Sequence, residues 1–260
     1  MKKEEHNNRK EEKMESLFSI VIPTKNEAGN IGTLLESLTK QTYPAMHSVP
    51  IYVADAQSTD STRDEALSFK DSLLVRVVDG GPVAVGRNVG AYYTKTKYVL
   101  FMDADVELDD VTLLERVVAL AQKKKLWLIT VGVMCREHNL LHRTIYVLNN
   151  LAQWLSQYVK KQYATGMFMF FDCRAFHLLG GFDEKVTYAE DYHLSQRIPP
   201  HRFRVIKGHI TTSDRRFRSM GALKIVKMFL AVVWGSFRKN NSIFYRKNRY
   251  FHHSQKTLPK

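Results

Sequence analysis

Cysteine is scarce: the 260 residues hold two, Cys135 and Cys173. Two cysteines make no disulfide scaffold. With no secretory apolar core near the N-terminus, they point to a reducing compartment and are expected in the core. No apolar run is long enough to span a bilayer. Several motifs are missing as well: GxxxxGK(S/T), GxGxxG, HExxH, CxxC and GxSxG. Their absence removes the usual signatures of P-loop NTPases, dinucleotide enzymes, zinc proteases and serine hydrolases. Acid is missing from one end. Residues 201–260 carry fifteen Lys and Arg against a single acid, Asp214, whereas the first 200 residues carry 24 bases and 25 acids. A near-neutral body with a basic C-terminal part points to an anionic partner.

What is present is ordinary globular composition, 44% hydrophobic and 25% charged. Residues 1–16 have almost no apolar side chains and five charges of each sign. They read as a disordered, solvated tail. From Leu17 onward short apolar runs alternate with helical patterns. Strands are expected at 17–22, 49–54, 73–78, 98–102 and 126–135. Helices are expected around Ile31–Leu38, after a capping box at Thr62 and Glu65, and at 84–94 and 110–122. This alternation predicts βαβ units and a parallel sheet buried on both faces. Further on, Ile145, Leu148, Leu151, Ala152, Leu155 and Val159 form one helical stripe, and 167–171 reads as a strand. A second apolar stripe runs from 222 to 237, with Lys224, Lys227, Trp234 and Arg238 off it.

In open α/β sheets ligands bind outside the carboxyl ends of the strands. Thr24 and Glu27 follow the first expected strand, Asp55 the second, and Asp103 and Asp105 the fourth. Carboxylates converging on one edge repel one another unless a cation or a donor-rich ligand sits there. Oxygen ligands suit Mg²⁺ or Mn²⁺, completed by substrate phosphates. A lone Asp-x-Asp also fits a simple helix cap, and it is the placement of this pair after a buried strand that argues for a site.

Six segments occur in order: FSIVIPTKNE (18–27), VADAQSTD (53–60), GRNVGA (86–91), VLFMDAD (99–105), GGFDE (180–184) and Glu190-Asp191. Together they resemble a non-processive family 2 glycosyltransferase over about residues 17–216. The resemblance implies the GT-A fold, a Rossmann-like, mostly parallel sheet with helices on both faces, here followed by a basic helical extension over 217–260. It implies that Pro23, Thr24, Glu27 and Asp55 hold the base and ribose of a UDP- or GDP-sugar, that Arg87 lines the nucleotide pocket, and that Asp103 lies near ribose and sugar. Asp105, with Asp103, would bind Mg²⁺ or Mn²⁺. Glu190 and Asp191 match the acidic pair that supplies the catalytic base, Asp191 acting by in-line attack with inversion. Gly166 and Gly181 match the acceptor-side wall, and Arg215 and Arg216 a basic motif near the leaving diphosphate. The chain has no Gln-x-x-Arg-Trp, which argues against polymer synthesis. Ala56-Gln57 stands where glycine is commoner, which leaves uracil and guanine open.

The expected partners are a nucleotide-sugar, a sugar or lipid-linked acceptor, and an anionic membrane surface met by residues 218–260. The expected location is the cytoplasmic face of a membrane. Two readings compete. A nucleotidyltransferase on a similar sheet would normally carry a glycine-rich loop after the first strand, but none occurs before Gly29. A nucleic-acid module using the basic end would leave the acidic edge unexplained.

Overall fold

The structure is a computed structural model and describes residues 16–186 and 189–227. The expected tail at 1–16, except Ser16, and the stripe beyond Lys227 lie outside the described residues. So does the adjacent pair His252-His253.

The first half alternates β1 (Phe18–Thr24), α1 (Asn30–Thr39), β2 (Pro50–Asp55), α2 (Thr62–Leu67), β3 (Leu74–Asp79), α3 (Val83–Tyr93) and β4 (Tyr98–Met102). There follow β5 (Val106–Glu107), α4 (Leu113–Lys123), β6 (Leu128–Cys135), α5 (Leu140–Ser156), β7 (Phe168–Asp172), α6 (Cys173–Leu178), α7 (Glu190–Ser195), β8 (Phe203–Thr212) and α8 (Arg215–Met220). One eight-stranded sheet has the order β3-β2-β1-β4-β7-β6-β8-β5. β3, β2, β1 and β4 run parallel, β7 enters antiparallel between β4 and β6, and β6 and β8 are parallel again.

The apolar runs are continuous because both faces of the sheet are covered. Side chains alternate across it. Phe18, Ile20, Ile22, Leu100, Met102, Phe168 and Phe170 join the core under α1 and α4, while Val21, Tyr52, Val99, Phe101, Met169 and Phe171 face the other core, with α3 and α6. The expected strands and helices of residues 17–135 are present, with ends shifted by a few residues. β8 and the short β5 carry no clear sequence pattern, since β8 mixes buried and half-exposed positions.

Three local expectations are corrected. The capping box at Thr62 and Glu65 does not form; Ser61 is the N-cap of α2, without a side-chain bond. Thr62 Oγ1 instead accepts from the Glu27 N–H at 2.8 Å, and Glu65 Oε2 from the Gly29 N–H at 2.6 Å. The loop after β1 turns through positive φ at Asn26 and Gly29, which leaves backbone donors that need acceptors. Second, α5 does not bury its apolar stripe. Of the six residues only Ile145 is buried; the inward side also carries Tyr146, Asn149, Gln153 and Ser156. Those polar groups hold backbone: Gln153 Nε2 donates to the Val131 carbonyl at 2.7 Å, and the Asn150 amide pairs with both the N–H and the carbonyl of Val133. Third, Cys135 is buried but Cys173 only half so.

The described part of the basic extension packs with the domain. Phe217 stacks on His142 with ring centroids 4.1 Å apart, and Ile225, in a helical stretch over 222–227, is buried in the larger core.

α3 lies close on β1 because Gly90 has no side chain. A Cβ there would meet Val21 Cγ1 at 2.2 Å. Alanine normally favours a helix by about 1 kcal/mol over glycine, yet Gly90→Ala is expected to destabilise the fold by about 1–3 kcal/mol through overpacking. Urea unfolding checks the value, and adding Val21→Ala should restore much of the loss.

Candidate active site

The carboxyl ends of the parallel strands form the site, in two connected parts. In the first, β1 and β2 end in register, with Thr24 beside Asp55 and Pro23 beside Ala54. Thr24 Oγ1 donates to Asp55 Oδ1 at 3.2 Å. The Asp55 carboxylate also accepts from the Ser58 N–H and hydroxyl and from Arg63 Nη1 at 3.3 Å, and it is closed off from solvent. Asp55 therefore braces the turn at 56–58, where Gln57 takes a positive φ.

The second part is built around Arg87 of α3. Its guanidinium is 2% exposed. Nη2 donates to Asp103 Oδ1 at 2.6 Å and Nη1 to Glu190 Oε1 at 2.5 Å, and the group lies 5.1 Å from the centroid of the Phe182 ring. Burial opposes its charge, but Asp103, Glu190 and Asp191 outweigh that, and the net effect raises the Arg87 pKa. Gly166 lies against this guanidinium; a Cβ there would stand 2.2 Å from Arg87 Nη2. The Gly166 N–H donates to Asp191 Oδ2, while Asp191 Oδ1 accepts from the Tyr192 N–H at 2.7 Å. Ala189, the residue before α7, takes a left-handed conformation with φ 58°, a strained choice for a residue with a side chain.

Desolvation, followed by the charge of Glu190, pushes the Asp191 carboxyl up to about 6; Arg87 and the two N–H donors only partly counter this. Asp105 is raised as well, first by burial and then by Asp103. Two arginines at the start of α8 cover this acidic edge. Arg215 Nη2 donates to Glu27 Oε1 at 2.8 Å and to Asp105 Oδ2 at 3.2 Å, and Arg216 Nη2 stands 4.0 Å from Asp103 Oδ2.

The residues singled out in the sequence thus converge on one edge, with one outlier. Gly181 (φ 70°) packs on Asn88, not on the acids. Asn88 and Arg63 were not singled out. Asn88 ties α3 to the GGFDE loop by bonding both backbone groups of Phe182 and the Glu184 carboxylate, and its place in the GRNVGA segment was the available signal. Nothing in the sequence marked Arg63. Among the described residues no three His, Cys, Asp or Glu side chains form a metal-ligand cluster. Asp103 and Asp105 offer carboxylate oxygens alone, a set that fits Mg²⁺ or Mn²⁺ completed by phosphate oxygens and does not fit a metal held wholly by protein.

The Asp191 shift has a stability consequence. Its folded pKa lies above the unfolded value, so the folded state favours the protonated acid. The ionised carboxylate therefore costs stability that appears as pH rises from about 4 and is complete above about 6. Asp191→Asn, which mimics the neutral acid, should melt above the native protein at pH 8, with the difference vanishing towards pH 4. Thermal unfolding across that range is the check.

Solved structures share this architecture. The Staphylococcus aureus TarS 1–349 structure in complex with UDP-GlcNAc aligns with a TM-score of 0.62 at 20% identity, over 77% of this chain and 59% of that one. Mannosyltransferase PcManGT from Pyrobaculum calidifontis, in complex with GDP-Man and Mn²⁺, aligns with a TM-score of 0.64 at 19% identity, over 84% and 64%. At these identities they show the fold, which is the GT-A type. Among curated proteins, validoxylamine A glucosyltransferase of Streptomyces hygroscopicus subsp. jinggangensis is 37% identical over 94 residues, 35% of this chain and 22% of that protein. The Escherichia coli UDP-Glc:alpha-D-GlcNAc-diphosphoundecaprenol beta-1,3-glucosyltransferase WfgD is 34% identical over 92 residues, 34% and 35% of the two chains. The matched stretch is thus about a fifth to a third of those relatives' length. Residues 19–180 match the model of glycosyl transferase family 2, and with more than half of its length inside that match the chain belongs to this family.

Proposed function

We propose that the chain is a nucleotide-sugar-dependent glycosyltransferase that moves one sugar from a UDP- or GDP-linked donor to a hydroxyl or lipid-linked acceptor. The observation that carries this reading is the gathering of Asp103, Glu190 and Asp191 around one buried arginine, on the sheet edge where β1 and β2 also end. Family membership and neighbours solved with UDP-GlcNAc and GDP-Man support it.

In this reading the nucleotide lies over Pro23, Thr24 and the turn braced by Asp55, with Glu27 at its ribose side. The diphosphate lies towards Asp103 and Asp105. A divalent cation held there would offset the charge that builds on the leaving diphosphate. Arg215 and Arg216 add positive charge on the same side and would exchange their present carboxylate partners for phosphate oxygens. The acceptor approaches past Gly166, with Gly181 behind it through Asn88. Its oxygen attacks the anomeric carbon in line with the departing diphosphate, so the configuration inverts. The hydroxyl proton passes to Asp191, whose pKa near 6 leaves it ionised at pH 7 yet more basic than an ordinary carboxylate. Glu190 neutralises Arg87 and raises the basicity of Asp191 through its charge.

The membrane-surface reading belongs here too. Fifteen bases in the last 60 residues favour an anionic bilayer. No described helix is long and apolar enough to cross one.

Three outcomes test the site. Asp191→Asn should lower kcat by a factor on the order of 10²–10⁴ with donor affinity nearly unchanged. The native kcat/KM should fall as pH drops through about 6, where Asp191 takes up its proton. Asp105→Ala should abolish Mn²⁺-dependent nucleotide binding measured by calorimetry; undiminished binding by the native chain in excess EDTA would remove the metal from the mechanism.

A further inference from the structure

The described residues expose fifteen large hydrophobic side chains, and nine of them lie between 140 and 159. They are Leu140, Leu141, Val147, Leu148, Leu151, Trp154, Leu155, Tyr158 and Val159. At 100° per residue the seven within α5 fall on one side of the helix, with only Thr144 among them and Ala152 and Arg143 at the two margins. Scattered exposed leucines need no explanation, but a continuous face of this size does. The opposite side of α5 carries the polar residues that grip β6, so the helix is not simply misplaced: its polar groups are committed inward and its apolar face is left outward.

We propose that this face of α5 lies in the interfacial layer of an anionic lipid bilayer and sets the active site at the membrane surface. The reading deepens the membrane-surface part of the proposed function and rests on it, but moves the main contact from residues 218–260 to α5. Three observations select lipid as the occupant. The helix is about 25 Å long, too short to span with its inner side tied to the sheet, and suited to lying in the plane. Trp154 and Tyr158 pack edge to face, 5.2 Å between centroids, at its C-terminal end, and exposed Lys160 and Lys161 follow. Aromatic and basic residues bordering an apolar face suit the headgroup boundary. Charge argues against a second copy, because two such faces meeting would bring exposed Arg143, Lys160 and Lys161 of one copy towards those of the other, with no acid between residues 140 and 161 to offset them.

The placement also explains a link to the chemistry. On its inner side α5 holds the segment that presents Gly166: Gln153 Oε1 accepts from the Thr165 N–H, and the Tyr163 hydroxyl donates to Asn149 Oδ1. The helix on the bilayer is thus the one that supports the acceptor-side wall, which suits an acceptor whose reacting group stays at the headgroup level.

The test uses the full chain with vesicles of equimolar phosphatidylglycerol and phosphatidylcholine at about 0.15 M salt, where distant charges are largely screened. The native chain should sediment with the vesicles. Leu148→Glu with Leu151→Glu should lower partitioning by about tenfold or more, because two buried apolar side chains become charged. Donor hydrolysis without vesicles should be unchanged, which shows that the double variant is folded. In a chain with Trp127→Phe and Trp234→Phe, the emission of Trp154 should shift to the blue on vesicle binding. Unchanged partitioning of the double variant, or an unshifted Trp154, overturns the proposal and leaves the basic end as the contact. A native chain that ignores vesicles but forms a dimer that the double variant loses overturns it in favour of a second copy. Vesicle binding without sugar transfer would strike the proposed activity and leave this inference standing.

Discussion

The site depends on one buried charge. Taking a guanidinium out of water is tolerable only if anionic partners replace its hydration. Arg87 meets that condition with Asp103 from the end of β4 and Glu190 from the start of α7, and the rest of the site follows from it. The arginine links chain segments 16 and 103 residues away from it. Its position leaves no room for a side chain at 166, and the bare Gly166 N–H is then available to hold Asp191. Burial, and then the charge of the Glu190 that anchors Arg87, make ionised Asp191 uncomfortable, so the packing of the arginine and the raised Asp191 carboxyl belong to one cluster.

The acids can gather because the sheet delivers them. Parallel strands end at one edge, and the loops leaving β1, β2 and β4 each carry a carboxylate within a few residues of that edge. No single loop has to be long, and the charges are set by rigid strands. Arg215 and Arg216 come from the far end of the described chain and close the edge from above, so the acidic side is partly neutralised before any ligand arrives.

α5 shows how such a sheet can force an unusual helix. β7 pairs with β6 only at Leu128 and Ile129, and the pairing with β8 shifts register between Thr130 and Gly132, where β8 carries the extra residues. The neighbouring β6 backbone groups at Val131 and Val133 need partners, and Gln153 and Asn150 supply them. An unpaired buried carbonyl or N–H costs about 1–3 kcal/mol, so these groups of β6 favour the amide-bearing side of α5 facing inward. An apolar helical stripe in a sequence is therefore no guarantee of burial.

The sequence by itself determined the layered α/β architecture, since continuous apolar strands separated by amphipathic helices can bury their surface only in a sheet covered on both sides. It also determined which carboxylates reach the edge where the parallel strands end, because strand ends are local features: Asp55 closes β2, and Asp103 and Asp105 follow β4 directly. Tertiary structure alone decided who pairs with whom. That Arg87 faces Asp103 and Glu190, that Asp55 is sealed by Arg63 and Ser58, and that Thr62 and Glu65 serve the β1 loop instead of their own helix are contacts between segments far apart in the chain. The direction α5 faces was decided there too, for periodicity records that a helix has two sides, whereas the hydrogen-bonding needs of the adjacent strand choose which side turns inward.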